Sequence, residues 1–173
     1  MAVIVEDGSG VENAYSVLTE TEITEYCTAR GITLAENQAS LILTQSMDVL
    51  LAFNDRYKGD KKHTNNLVPF PRSNFCLAYD NVFSDTAIPL EFKQAQSILA
   101  HEIARGHNFG FALDNRTIIE QQIGPLKRKW ATPGEETDNL SLEGKYGRSF
   151  ATAIIPLLRS KGNSGYLLKS ARG

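Results

Sequence analysis

The chain has 173 residues, 42% hydrophobic and 22% charged, with a formal net charge of -2. Those values fit one soluble globular domain with its own core and exclude a disordered or collagen-like chain. The opening MAVIVEDGSG has neither a basic leader nor a long apolar run, so no signal peptide or membrane span is expected and the protein should stay in the cytoplasm where it is made.

Charge is segregated along the chain. From Met1 to Asp55 the only basic side chain is Arg30, against Glu6, Asp7, Glu12, Glu20, Glu22, Glu25, Glu36, Asp48 and Asp55; from Gly144 to Gly173, Lys145, Arg148, Arg159, Lys161, Lys169 and Arg172 have no acidic neighbour in sequence. Such a split suits a chain whose one end meets the other end of a copy, or an acidic partner, although the charges can equally mix on the folded surface. Cys27 and Cys76 are too few for a disulfide framework or a four-cysteine zinc site, and two buried free thiols are expected.

Ala2 to Val5 is a short β-prone run closed by Asp7-Gly8-Ser9-Gly10, which has turn chemistry but lacks the Gly-Lys-Ser/Thr of a phosphate loop. The first helix starts at a capping box, Thr19 with Glu22, stapled by Leu18 and Ile23. It presents Ile23, Tyr26 and Cys27 on one face and stops at Gly31. A second capping box, Thr33 with Glu36, predicts a helix to about Asp55. Its apolar residues, Ala39 to Phe53, cover more than one face, which places it in a core or in a core plus a subunit contact.

Residues 56–89 lose periodicity. A connection this long is read as functional, or as an ordered arm lying on a neighbour. The third helix begins near Pro89, with Ile88, Phe92, Ala95, Leu99 and Ile103 as its core stripe and Gly106 as its stop. TIIEQQIGPLKRKWA, residues 117–131, reads as a β-hairpin turning at Gly124-Pro125, with a basic second strand. A polar loop follows. A short last helix runs from Ser149 to about Ser160, kinked or ended early by Pro156. The Gly/Ser-rich, basic close of the chain predicts an extended tail.

Catalytic templates fail one after another. In ILAHEIARGH, residues 98–107, the position four after His101 is Arg105. His107 lies about 120° round a helix from His101, beyond the Gly106 stop, whereas a helical zinc pair needs its imidazoles about 40° apart. His101 also falls opposite the core stripe, as a solvated or interface side chain. There is no Gly-x-Ser-x-Gly elbow, and the paired Glu135 and Glu136 lie in a polar loop. Neither an enzyme nor a bound cofactor or metal is expected. For nucleic acid, Lys61, Lys62, Lys127, Arg128, Lys129 and Trp130, with Tyr57 and Phe70 nearby in sequence, combine phosphate-binding charge with stacking rings. A pI near 5.9 lacks the bias of a dedicated binder.

Several short motifs follow one another across most of the chain: IVEDGSG with Asn13-Ala14-Tyr15, Ala29-Arg30-Gly31, Phe70-Pro71-Arg72, Ile88-Pro89 and Ile123-Gly124-Pro125-Leu126. Their succession resembles small tailed-bacteriophage proteins grouped as DnaT-like, single-stranded-DNA-binding. Proteins of this shape are also similar to phage head–tail connectors, the adaptor or head-completion proteins that form a ring, usually a dodecamer, beneath the portal. That second resemblance implies a structural neck protein of the virion, made in the bacterial host cytoplasm, that joins head to tail and continues the DNA channel. Its partners would be the portal, other copies of itself, a downstream tail or nozzle component and the DNA passing through, with no membrane. Arg159, Lys161, Tyr166, Lys169 and Arg172 would reach the portal, and Lys127, Arg128, Lys129 and Trp130 would face the channel or the tail. The alternative is a primosomal single-strand binder. The fold expected under either is mainly α: a bundle of about four helices in a domain at 1–160, with a β-hairpin insertion, extended arms and a basic tail at 161–173.

Overall fold

The computed structural model describes residues 3–35, 37–63, 66–77, 83–107, 109, 142 and 146–159, together with the backbone of 120–123 and 126–129. Among these residues there are four α-helices and two antiparallel two-stranded ribbons, so the fold is mainly α with a small β-hairpin.

Helix α1, Glu20–Thr28, forms where the capping chemistry puts it. The Thr19 hydroxyl accepts from the Glu22 amide at 3.1 Å, and the Glu22 carboxylate accepts from the Thr19 amide at 2.7 Å. Two N–H groups that a helix start leaves without partners are thereby satisfied. Leu18 and Ile23 are both buried beside this cap. Past the helix Gly31 takes a φ of +80° and the Ile32 amide returns to the Cys27 carbonyl at 3.0 Å, the left-handed closure expected of that glycine.

Helix α2, Gln38–Leu51, starts later than the Thr33–Glu36 capping box predicts. Asn37 precedes it in the left-handed region at φ 65°, a conformation that asparagine tolerates better than most residues, and the Gln38 side chain accepts from the Ala35 amide at 2.9 Å. It also ends short of Asp55. The buried Tyr57 hydroxyl donates to the Leu50 carbonyl at 2.9 Å, taking up one of the last-turn acceptors, and Asn54–Arg56 continue as a single 3-10 turn. Ile42, Leu43, Met47 and Leu50 are buried on its inner side, while Leu41 remains 56% exposed.

Residues 57–75 are not an arm reaching outward. Tyr57, Val68, Phe70 and Phe75 are all buried in this chain's own core. Phe70 sits at the centre of a ring cluster, with centroids 5.4 Å from Tyr57, 5.2 Å from Phe75 and 4.8 Å from Phe92. The distances are those of favourable edge and tilted aromatic packing, and this burial explains why the segment carries no simple period. Within it, β1 (Asp60–Lys61) pairs with β2 (Arg72–Ser73) as a short ribbon that the sequence does not announce.

Helix α3, Leu90–Ala104, follows Pro89 and packs against α1, α2 and the last helix. Phe92, Ala95 and Leu99 of the expected stripe are fully buried, with Ile88 and Ile103 packed partly buried at its ends. Gly106, at φ 91°, ends it. Strands β3 (Glu120–Ile123) and β4 (Leu126–Lys129) form the predicted hairpin, with Glu120 opposite Lys129 and Ile123 opposite Leu126. Helix α4, Arg148–Ile154, gives way to a 3-10 turn at Ile155–Leu157, where Pro156 stands in the first turn. The chain then bonds back to the start of the ribbon, with Lys58 N–H on the Leu157 carbonyl at 2.9 Å and Arg159 N–H on the Arg56 carbonyl at 2.6 Å.

Of the two thiols, Cys27 is buried as expected and Cys76 is only half-buried. Trp130, Lys161, Tyr166, Lys169 and Arg172, and with them the expected tail at 161–173, lie outside the described residues. No helix among the described residues is long and apolar enough to cross a membrane.

Candidate nucleic-acid interface

The β1–β2 ribbon gathers cations from three parts of the chain. Lys58, Lys61 and Lys62 come with the first strand and Arg72 with the second, where it stands opposite Lys61 in the register. Arg56 and Arg159 join through the backbone bond at the end of the last turn. Arg72 is the buried member and its role is structural. Its guanidinium donates to the carbonyls of Lys58 at 2.8 Å, Gly59 at 3.0 Å and Pro69 at 3.3 Å, so three backbone acceptors of the ribbon close on one side chain. Burial and then the nearby Arg159 charge push its pKa down, opposed by Asp60.

Lys61 is half-buried, and burial followed by the Arg72 charge lowers its pKa. Its ammonium donates to the Asn66 carbonyl. Arg159 is exposed; its guanidinium donates to the Gly59 carbonyl at 3.1 Å and lies 3.9 Å from Asp60. Lys62 pairs with Asp85 at 2.9 Å, and that hydrogen bond and charge hold the exposed Asp85 carboxyl below its usual range. These ion pairs are solvent-facing and readily exchanged for another anion. The ribbon is thus a basic edge on a fixed backbone, able to bind phosphate oxygens without reading bases.

The ribbon's geometry depends on Gly59. Its φ is +69°, and an added Cβ would lie 2.4 Å from the Ser73 carbonyl oxygen and 3.2 Å from Phe75. Only glycine lets the two strands come this close.

The sequence-based candidates divide accordingly. Lys61 and Lys62 stand on the basic edge with Arg159, which sequence reading grouped with the tail instead. Tyr57 and Phe70 are buried core rings and present no face to a base. Lys127, Arg128 and Lys129 lie on β4 of the hairpin. Arg56 and Lys58 were missed. Nothing in one-dimensional spacing brings residue 159 beside residue 56; the Tyr57–Leu158 bridge and the backbone bonds on either side of it do so.

The histidines of the ILAHEIARGH stretch form a different cluster. His101 does not face solvent freely: its side chain is 15% exposed and meets Tyr26 of α1 edge-on at 6.2 Å. Glu102 accepts from the imidazole of His107 at 2.7 Å and lies 3.3 Å from that of His101 and 3.4 Å from the Arg105 guanidinium. Burial pushes the Glu102 carboxyl up, but those hydrogen bonds and the Arg105 charge outweigh it and leave the group below its usual range. Among the described residues no group of three or more His, Cys, Asp or Glu is placed to hold a metal ion. The cluster closes the end of α3 against the cleft lined by Phe109, Tyr146 and Arg148.

The described part of the chain is mainly helical and carries a basic two-stranded ribbon. The whole chain, residues 1–173, matches the family described as putative DnaT-like ssDNA binding protein, and it belongs to that family. No curated protein and no solved structure matches it.

Proposed function

We propose that this protein binds single-stranded DNA through the basic edge of the β1–β2 ribbon. The observation that carries the reading is the convergence of Lys58, Lys61, Lys62 and Arg159 on one short, glycine-fixed ribbon. The description of its family supports it. In this account the cations neutralise backbone phosphates, and affinity comes largely from released counterions. Tyr57 and Phe70 give no base stacking there, because the core has taken their rings. The test is retention of labelled single strands by the full chain, beside the combined Lys58→Ala, Lys62→Ala and Arg159→Ala variant. Loss in the variant with unchanged helix content supports the reading; equal retention contradicts it.

A second reading is favoured by a separate observation, the exposed apolar groove at Ile4 and Leu41 on a chain whose two ends carry opposite charge. Two different faces of one subunit joining head to tail close into a ring. In that reading the protein is the neck adaptor of a tailed phage, contacting the portal, its own copies, a tail component and the DNA in the channel. Electron microscopy with and without a cognate portal distinguishes it: rings on the portal support it, and a protein that ignores the portal does not.

A further inference from the structure

At the end of α2 away from the basic ribbon, Val3, Ile4, Asn13, Tyr15, Ser40, Leu41 and Thr44 line an open groove of about 510 Å³. Ile4 is 49% and Leu41 56% exposed, two of the few large apolar side chains left open to water among the described residues. The groove's surroundings are acidic. The Tyr15 hydroxyl donates to Asp48, and burial together with that carboxylate pushes its pKa up to about 12. Glu20 accepts from the Val3 amide at 3.3 Å and borders the adjoining hollow along α1, which Glu25 also lines. Among the described residues no Lys or Arg lines either depression.

The described fold ends at Arg159, held to residue 56 beyond the far end of α2. After it the sequence runs SKGNSGYLLKSARG, with an apolar triplet, Tyr166-Leu167-Leu168, among Lys161, Lys169 and Arg172 and no acidic residue. An apolar triplet flanked by cations is the complement of an apolar groove flanked by carboxylates. Arg159, from which the segment continues, lies at one end of α2 and the groove at the other. That is the arrangement of a contact between unlike faces of successive copies.

We propose that the groove at Ile4 and Leu41 receives Tyr166-Leu167-Leu168 of a second copy of this chain, with Lys169 and Arg172 meeting Asp48 and Glu20. This assigns the C-terminal segment to a sister subunit and not to a portal. It is separate from DNA binding, which uses the opposite end of α2.

Two full-length variants test it without nucleic acid: Leu41→Arg in the groove, and Leu167→Ser with Leu168→Ser in the segment. Leu41 is exposed, so its replacement leaves the core untouched, which circular dichroism checks. Sedimentation of the unaltered chain should show concentration-dependent association that weakens at least about tenfold in either variant. Mixing the two variants should restore a one-to-one complex, because one retains a groove and the other a segment. The proposal is overturned if the unaltered chain stays monomeric into the millimolar range, if either variant associates like the unaltered chain, or if the mixture fails to pair.

Discussion

Gln96 of α3 holds Val17 through its side-chain amide: the buried Oε1 accepts from the Val17 backbone N–H at 3.1 Å. Its Nε2 donates to the Ser16 hydroxyl at 3.0 Å and to the Leu43 carbonyl at 3.3 Å. One polar group in the core thus ties the N-terminal segment, α2 and α3 together. Gln96→Leu keeps the volume but strands the Val17 N–H and removes a partner from Ser16. The expected cost is about 1–3 kcal/mol, read as a lower urea midpoint at unchanged m-value. An unchanged midpoint would show that the knot contributes nothing.

Gly59 and Gly31 both have positive φ but different surroundings. A Cβ at Gly31 meets nothing within 4 Å, whereas one at Gly59 runs into the Ser73 carbonyl at 2.4 Å. Gly31→Ala should therefore cost only the left-handed backbone strain, about 1 kcal/mol. Gly59→Ala must also push β1 and β2 apart and should cost clearly more, with a parallel loss of DNA retention. Comparable thermal midpoints for the two variants would mean that the ribbon yields without strain.

The Glu102 cluster predicts a pH dependence. Because folding lowers this carboxyl below its usual range, its contribution is complete above the pKa of an unfolded glutamate. It is lost as pH falls through the lowered folded value. The stability difference between the unaltered chain and Glu102→Gln should be at most about 1 kcal/mol near neutrality, since the cluster is partly solvated, and should fade in that acid window. A difference that grows on acidification would contradict the assignment.

Much of the helical frame is legible in one dimension, and the reasons are local. Thr19 with Glu22, Gly31, the spacing of Phe92, Ala95 and Leu99, and Gly106 each act within a turn or two of helix. The β3–β4 hairpin follows from alternation around Gly124-Pro125. The burial of Tyr57, Val68, Phe70 and Phe75 is not legible, because these side chains enter the core from an irregular backbone and so have no period to detect. The start of α2 shifted because Asn37 adopts a left-handed conformation that Thr33 and Glu36 cannot announce. Half of the candidate interface was legible as Lys61 and Lys62. Its other half depends on Arg72 clamping carbonyls of residues 58, 59 and 69 and on Arg159 meeting residue 56. Those are tertiary contacts between segments far apart in sequence.

Electrostatic binding of single strands at the ribbon is tested by the anisotropy of a labelled oligothymidylate titrated with the full chain across a salt series. Log K should fall linearly with log salt, by about 0.7 for each phosphate neutralised, and Lys62→Ala with Arg159→Ala should flatten the slope by about one to two such contacts. Absence of binding at about 50 mM salt, or a slope identical in the variant, would contradict it.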